Sequence, residues 1–270
     1  ALHQLESQAQ PLAWRYVEPL LRESLGAHYC ELEFEPNAIA AASLAQVHRA
    51  RVLATNDVVV VKLQYPDLAS MLNEDFDAVV KMLRLARWIP ISREFDSWLE
   101  TLRDQIHAEI DYPRELAIAE QLGRVIEQHK GLSVDGVSVA VPKFWPRYSG
   151  AQWLTMDYIP GFQAGSAEVA ALPQARRNAL GRLMLELFFV EVFELGLMQS
   201  DPNFGNYLIS AEGDQLTLLD FGSVMTLDGP VQQALCDTIV AGHRHDDAAL
   251  MLGLQRLGCL KADAGSHAQQ

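Results

Sequence analysis

Hydrophobic positions in the first half of the chain follow two different spacings. Strands are expected near residues 32–35, 46–53 and 58–64, and the last of these is a run of β-branched residues of the kind that forms a buried strand. Two further runs, at 137–141 and 152–156, are expected to complete the same sheet. The pattern therefore predicts a small β-sheet in this half of the molecule.

Other segments place apolar residues three and four positions apart, which is the spacing of an amphipathic helix. They cover residues 2–24, 68–88 and 92–128. Pro113 is expected to break or kink the last of these just after Asp111, because proline has no backbone N–H. The sequence therefore predicts helices inserted between the strands.

From residue 173 onward the pattern is mainly helical. These elements predict an α+β fold with two lobes. We expect residues 1–156 to form an N-terminal lobe, 157–161 a hinge, and 162–270 a helical C-terminal lobe. At 270 residues the chain is long enough to bury a core in each lobe.

Polar residues suited to phosphoryl transfer stand in order in the C-terminal half. Asp201 precedes Asn206 by five positions, and Asp220-Phe221-Gly222 follows. In protein kinases this interval separates the catalytic Asp from a metal-binding Asn, and the Asp of Asp-Phe-Gly binds metal as well. Either motif alone is weak evidence, because these are also ordinary turn residues. Together they predict a two-lobed protein-kinase-like fold with Asp201 as a catalytic residue and Asn206 and Asp220 as metal ligands.

Such a fold needs an upstream strand lysine that reaches the nucleotide phosphates. Lys62 interrupts the run of valines at 58–61 and is the candidate, although a lysine at a strand end can also extend to solvent. Residues 38–50, where a phosphate-covering loop would lie, are rich in alanine instead of glycine. The methyl groups restrict the backbone, so we expect this loop to be stiffer than a glycine-rich one.

Six motifs of the chain, taken in order, resemble those of the UbiB family of atypical kinases, also called aarF-domain or ADCK kinases. They are the alanine-rich segment 38–50, Val60-Val61-Lys62-Leu63-Gln64-Tyr65-Pro66, Glu109-Ile110-Asp111-Tyr112 with Arg114-Glu115, Met156-Asp157-Tyr158-Ile159-Pro160-Gly161, Gln199-Ser200-Asp201-Pro202-Asn203-Phe204-Gly205-Asn206, and Leu219-Asp220-Phe221-Gly222. The resemblance runs from residue 33 to residue 224.

The resemblance implies a protein that binds ATP or ADP with Mg²⁺ and has ATPase or unorthodox kinase activity. It implies support of ubiquinone (coenzyme Q) biosynthesis, with a quinone precursor as a candidate small-molecule substrate. It also implies association with a membrane or with a ubiquinone-biosynthesis complex. The expected location is the bacterial cytoplasm or the mitochondrial matrix, including the periphery of the inner membrane, and the protein is not expected to be secreted.

The resemblance also assigns roles to single residues. Lys62 is expected to contact phosphates as part of the catalytic set, and Glu109 is its expected ion-pair partner, with Asp111 two residues away as the alternative. The expected nucleotide-binding residues are Ala40, Ala41, Ala42, Ser43 and Gln46 in the alanine-rich loop, Lys62, and Asp157, Tyr158 and Ile159 at the hinge.

The chain departs in several places from the patterns of the family and of protein kinases, and one of them is Ala38, where many relatives have Pro. The family has an N-terminal Lys-x-Gly-Gln helix, and that string does not occur in this chain. Gln199 stands where kinase loops commonly have His. The helical pattern resumes soon after Gly222, with no Ala-Pro-Glu motif. A peptide-docking platform is therefore not expected, which favours a small-molecule substrate or simple ATP hydrolysis.

Two other functions stay open. A small-molecule phosphotransferase of the aminoglycoside or choline kinase type has an Asp-to-Asn interval of the same size. A nucleotide-binding scaffold without turnover is the other alternative. The alanine-rich loop and Gln64-Tyr65-Pro66 favour the UbiB type over the first, and the intact Lys62 and Asp201 argue against the second.

The composition is that of a globular protein, with 49% hydrophobic and 21% charged residues. A formal net charge of -14 argues against a nucleic-acid partner, which requires clustered basic residues. The 3 cysteines include no Cys-x-x-Cys pair, so they indicate neither a disulfide framework nor a zinc site.

Overall fold

The structure is a computed structural model that describes residues 11–42, 44–85, 93–128, 132–199 and 203–260. The helices are α1 (Trp14–Leu25), α2 (Leu68–Leu85), α3 (Arg93–Glu109), α4 (Tyr112–Gln128), α5 (Ala167–Ala170), α6 (Gln174–Val190), α7 (Gly229–His243) and α8 (Asp247–Arg256). The strands are β1 (Leu32–Ala41), β2 (Ala45–Val52), β3 (Val58–Gln64), β4 (Ser133–Val134), β5 (Val137–Ala140), β6 (Trp153–Asp157), β7 (Phe162–Gln163), β8 (Leu197–Gln199), β9 (Tyr207–Ile209), β10 (Gln215–Leu218) and β11 (Val224–Thr226). Short 3₁₀ turns cover Gly26–Glu31, Pro146–Tyr148 and Phe204–Asn206, and a π-helical turn covers Glu191–Leu195.

The first sheet has the strand order β1-β2-β3-β6, and each neighbouring pair is antiparallel. Side chains alternate between the two faces of a strand, so Val59, Val61 and Leu63 share one face. This back face packs on α1 through Val17 and forms a small core. The opposite, front face carries Lys62.

The predicted strands at 46–53 and 58–64 are confirmed as β2 and β3. The strand predicted at 32–35 is longer, because β1 continues through the alanine-rich segment to Ala41. Beyond Ala41 the Ala42 N–H donates to the Ala45 carbonyl, at the start of β2, at 2.8 Å. Most of the alanine-rich segment therefore lies in the end of the hairpin that β1 and β2 form.

The strand predicted at 137–141 does not complete the first sheet, and that prediction was wrong. As β5 it pairs in parallel with β10, with Val139 opposite Leu216, in a second sheet of order β4-β5-β10-β9-β7. The physical reason is long-range: the backbone of β5 finds its hydrogen-bond partners in β10, and Val137 and Val139 are buried in the larger core with Leu183 of α6. The strand at 152–156 does join the first sheet, as β6.

The break predicted at Pro113 is confirmed, since α3 ends at Glu109 and α4 begins at Tyr112. The missing N–H of Pro113 costs little there, because N–H groups of the first helical turn have no intrahelical acceptor. Asp111 caps α4: its carboxylate accepts the Arg114 N–H at 3.0 Å, and its carbonyl accepts the Glu115 N–H at 2.9 Å.

A larger core joins α4 and the first sheet to the C-terminal elements. It contains Leu122 of α4, Leu154 of β6, Leu183 of α6, Leu216 of β10, and Phe221. Helix α4 is therefore packed between the front of the first sheet and the segment that carries Asp-Phe-Gly. Within the described part of the chain, no helix is both long and apolar enough to cross a bilayer.

Candidate active site

Lys62 lies at the centre of a charged cluster on the front face of the first sheet. Its Nζ atom is 3.1 Å from both carboxylate oxygens of Glu115 and 3.9 Å from Oδ1 of Asp220. The exposed fraction of the side chain is 22% for Lys62, 0% for Glu115 and 35% for Asp220. An ion pair between a half-buried lysine and a fully buried glutamate thus adjoins a carboxylate that solvent and ligands can reach.

The pKa values of the pair follow from this burial. Burial by itself would lower the pKa of the Lys62 ammonium, but the carboxylates of Glu115 and Asp220 outweigh it and raise the pKa. Burial raises the pKa of Glu115 to about 7, although attraction to Lys62 pulls it down. Lys62 therefore stays a cation, which is the form that attracts phosphate.

The partner of Lys62 is Glu115, where the sequence had suggested Glu109. Glu115 lies in the first turn of α4, on the same side as the buried Tyr112, Ala119 and Leu122. Spacings of three and four residues put these side chains on one helix face, which is turned to Lys62. Glu109, the last residue of α3, accepts instead a hydrogen bond of 3.3 Å from the Ser223 hydroxyl.

Asp220 follows β10 and is the first residue of the Asp-Phe-Gly segment, which lies against α4. Its Oδ1 atom accepts the Gly222 N–H at 2.9 Å. Phe221 is buried, with its ring edge-on to Phe144 at a centroid distance of 6.1 Å. The buried ring fixes the backbone, so the Asp220 carboxylate is presented at the edge of the core beside Lys62.

Asn206 lies next to this segment. It ends the 3₁₀ turn Phe204–Asn206, which Asn203 caps by accepting the Gly205 N–H at 2.8 Å. The Asn206 carbonyl accepts the Leu219 N–H at 2.9 Å, so the backbones of the two predicted metal ligands are adjacent. Asp201, the predicted catalytic residue, lies outside the described residues.

The donor chemistry of Asn206 and Asp220 fits Mg²⁺. Both side chains offer oxygen ligands, and Mg²⁺ usually binds one or two carboxylates together with substrate phosphates instead of a cage made only by protein. The described residues contain no group of three or more His, Cys, Asp or Glu side chains that could hold a metal ion.

The side chains of the alanine-rich loop lie on both faces of the first sheet. Ala40 pairs with Val47, which pairs with Lys62, so these residues share the front face. Ala41 pairs with Gln46, whose register partner Leu63 belongs to the back core.

Gln46 was predicted to bind nucleotide, but the structure does not bring it to Lys62. Its side-chain oxygen accepts the Leu12 N–H at 2.8 Å, and its amide nitrogen is 2.7 Å from Nε2 of His48. Ala42 lies between β1 and β2, and Ser43 lies outside the described residues.

The predicted hinge residues follow the end of β6. The Asp157 carboxylate accepts the indole N–H of Trp145 at 2.8 Å, so this side chain supports the local structure. The Tyr158 N–H donates to the Val58 carbonyl at 3.0 Å, and the Arg49 guanidinium lies 4.1 Å from the centre of its ring. Ile159 is half-buried beside them.

Sequence reasoning did not give roles to two further residues of the cluster. The Gln64 amide donates to the Ile110 carbonyl at 2.5 Å and so ties β3 to the turn before α4. The Tyr112 ring lies 5.1 Å from the Lys62 ammonium. The available signal was their position: Gln64 shares a strand face with Lys62, and Tyr112 shares a helix face with Glu115.

A small antiparallel sheet, a lysine–glutamate pair between its third strand and a packed helix, and an adjacent Asp-Phe-Gly define a two-lobed protein-kinase-like fold. The sequence matches the ABC1 atypical kinase-like domain over residues 4–252, and the chain belongs to this family. The resemblance to the UbiB and ADCK kinases is thereby confirmed.

Named relatives agree with this assignment. The mitochondrial atypical kinase COQ8 of Schizosaccharomyces pombe is 29% identical over 259 residues, which is 94% of this chain and 40% of that protein. The mitochondrial atypical kinase COQ8B of Danio rerio is 32% identical over 213 residues, 78% of this chain and 32% of that protein. The chain thus spans less than half the length of these relatives.

A solved structure supports the fold. The complex of Rv3197 with erythromycin from Mycobacterium tuberculosis matches with a TM-score of 0.70 and 24% identity, covering 91% of this chain and 60% of that chain. At this identity the likeness concerns the fold alone.

Proposed function

We propose that this chain binds Mg-ATP or Mg-ADP on the front face of the first sheet and acts as an atypical kinase or ATPase. The observation that carries the proposal is the convergence of Lys62, Glu115 and Asp220, with Nζ of Lys62 at 3.1 Å and 3.9 Å from the two carboxylates. These side chains come from three distant parts of the sequence. A charged lysine beside a reachable carboxylate suits a metal-bound polyphosphate.

Each residue has a role in this proposal. Glu115 keeps Lys62 charged and oriented, and Lys62 contacts the phosphates. Asn206 and Asp220 hold Mg²⁺, which when bound would neutralise the charge that develops on the phosphate oxygens. Asp201 accepts the proton of the attacking hydroxyl or water. Ala40, Ala42 and Ser43 cover the phosphates, and the main chain of residues 157–159 holds the adenine.

The acceptor is a small molecule or water. After Gly222 the chain enters β11, which pairs with β8, and α7 begins at Gly229. The segment in which protein kinases place their activation loop is thus occupied by a short strand. This geometry favours a small acceptor over a docked peptide.

Ubiquinone biosynthesis is the proposed context. Its support is family membership and the relatives that are named as mitochondrial COQ8 atypical kinases. A quinone precursor is the proposed substrate class, and the proposed location is the bacterial cytoplasm or mitochondrial matrix, including the inner-membrane periphery.

The test is nucleotide binding and phosphate release by the purified chain. We expect Mg-dependent binding of ATP or ADP, and a loss of turnover of roughly a hundredfold or more in Lys62→Ala and Asp220→Asn, because both remove electrostatic stabilisation. The exposed Lys81 and Asp75 of α2 provide matched controls, as Lys81→Ala and Asp75→Asn. Nucleotide binding that is unchanged in Asp220→Asn contradicts the proposal.

Asp201→Asn separates an enzyme from a nucleotide-binding scaffold. An enzyme retains binding and loses turnover in this variant, whereas a scaffold shows no turnover in either form. Phosphorylation of amino sugars or choline, in a panel with phenols and quinone precursors, would indicate the small-molecule phosphotransferase alternative.

A further inference from the structure

Arg114 is the residue before Glu115, and it holds the backbone that follows Asp220. One arm of its guanidinium donates to the Gly222 carbonyl at 3.1 Å, and the other arm donates to the Val224 carbonyl. The two acceptors lie two residues apart, and a rigid planar fork can bind both at once. Arg114 thus fixes the direction of the chain leaving the Asp-Phe-Gly segment.

The same helical turn holds this segment through a second residue. The Phe221 backbone N–H lies close enough to the Glu115 carboxylate to lower its pKa, while that carboxylate pairs with Lys62. The first turn of α4 therefore contacts residues 221, 222 and 224 on one side and the phosphate-contacting lysine on the other. Any shift of α4 moves both parts of the site.

The link continues to the strand that leads into the catalytic loop. Val224 begins β11, and in the β11–β8 ladder it lies opposite Gln199, two positions before Asp201. The Arg114 fork binds the start of β11 from α4, and β8 pairs with β11 along the ladder. One side chain on α4 is therefore connected to both the proposed metal ligand Asp220 and the approach to Asp201.

From these contacts we infer that Arg114 is a positioning residue for the metal-binding Asp220, so that its fork sets the affinity of the site for metal-bound nucleotide. The inference rests on the proposed function. It adds a determinant that touches neither nucleotide nor metal and acts only through the carbonyls of Gly222 and Val224. Lysine cannot replace it fully, because a single ammonium has no rigid fork to span two carbonyls.

The test compares Arg114→Met and Arg114→Lys with the wild-type chain. Calorimetric titration with ADP is done with Mg²⁺ and with EDTA. We expect Arg114→Met to weaken Mg-ADP binding about tenfold and to leave metal-free ADP binding unchanged, with Arg114→Lys in between. The control is Arg124→Met, the same change at an exposed arginine of the same helix. We expect it to bind like the wild type.

Hydrogen exchange supplies a readout that does not depend on nucleotide. Amides of residues 219–226 should exchange faster in Arg114→Met than in the wild type, whereas amides of α7 should keep their rates. An equal acceleration in both regions would mean that Arg114 only stabilises the fold, and it would overturn the inference.

The outcomes separate the inference from the proposed function. If the wild type binds Mg-ADP and Arg114→Met binds it with the same affinity, the inference is overturned and the proposed function stands. Absence of nucleotide binding by the wild type overturns the proposed function, and the nucleotide role of Arg114 with it. If Arg114→Met does not fold, Arg114→Lys decides the question. The inference is overturned if Arg114→Lys binds Mg-ADP as tightly as the wild type and its amides at 219–226 exchange at wild-type rates.

Discussion

At the scale of single residues, Glu191 couples proton binding to stability. It is the first residue of the π-helical turn after α6, and its side chain is buried. Burial raises the pKa of Glu191 from 4.5 to about 7, and an interaction with the Gln199 side chain opposes the rise. That interaction is weak, since the buried Gln199 amide nitrogen makes no full hydrogen bond. Burial, together with the Glu191 charge, raises the pKa of the Tyr207 hydroxyl to about 12.

The sign of the pH effect follows from the raised pKa of Glu191. The folded chain keeps the Glu191 proton where the unfolded chain has lost it, so this stabilisation is complete below pH 4.5 and is lost as pH rises through 7. We expect Glu191→Gln to gain stability relative to the wild type over this interval, by on the order of 2–3 kcal/mol at most. Urea unfolding near pH 5 and near pH 8 measures the difference.

The matched control for Glu191 is the exposed Glu186 of α6. Glu186→Gln should change the free energy of unfolding equally at both pH values, because this exposed side chain contacts solvent in the folded chain as it does in the unfolded chain. A difference between Glu191→Gln and the wild type that stays constant with pH would contradict the prediction.

Single residues also show where the sequence was informative about the site. Lys62 was recognisable because a charge interrupts an apolar strand. Glu115 carried a signal of the same kind, since it is polar on the helix face of Tyr112 and Leu122. The motif drew attention to Glu109 instead, and the spacing of a motif does not tell which carboxylate turns inward. That choice depends on where α3 ends and α4 begins.

At the scale of elements, the boundary between α3 and α4 depends on Asp111. Its capping bonds satisfy two N–H groups of the first turn of α4, the turn that carries Arg114 and Glu115. We expect Asp111→Ala to lower the free energy of unfolding by about 1 kcal/mol, because a cap is lost. Asp111→Asn keeps a side-chain oxygen and should cost much less. Chemical denaturation that finds both variants equally unstable would refute the capping role.

Elements were predicted well from periodicity, but their partners were not. β5 had the composition of a strand, and only its long-range pairing with β10 decided that it belongs to the second sheet. β-Branched residues predict an extended conformation and burial, and they fit either sheet equally. The break at Pro113, by contrast, is a local effect of one residue, and local effects can be read from sequence.

At the scale of the whole molecule, the larger core connects the two sheets. Leu154 of the first sheet and Leu216 of the second belong to one buried cluster with Leu183 of α6. A shared core favours cooperative unfolding, because neither sheet can lose its packing without exposing apolar surface of the other. It also keeps Lys62 beside Asp220, since Lys62 lies in the first sheet and Asp220 follows β10 of the second sheet. The rigidity of the site thus depends on the core as a whole.

This cooperativity can be tested with a substitution in α6, outside the first sheet. Leu183→Ala creates a cavity in α6 and should lower the free energy of unfolding by about 2–5 kcal/mol. Three of the 5 tryptophans, Trp14, Trp145 and Trp153, pack at the small core of the first sheet. Much of the tryptophan fluorescence therefore reports that region, while circular dichroism reports mainly the helices. Both signals should shift together. Leu185→Ala, at an exposed position of the same helix, should shift neither by much. A fluorescence transition that stays in place while the circular dichroism transition moves would mean that the lobes unfold separately, and a site built across them would then depend on ligand binding to assemble.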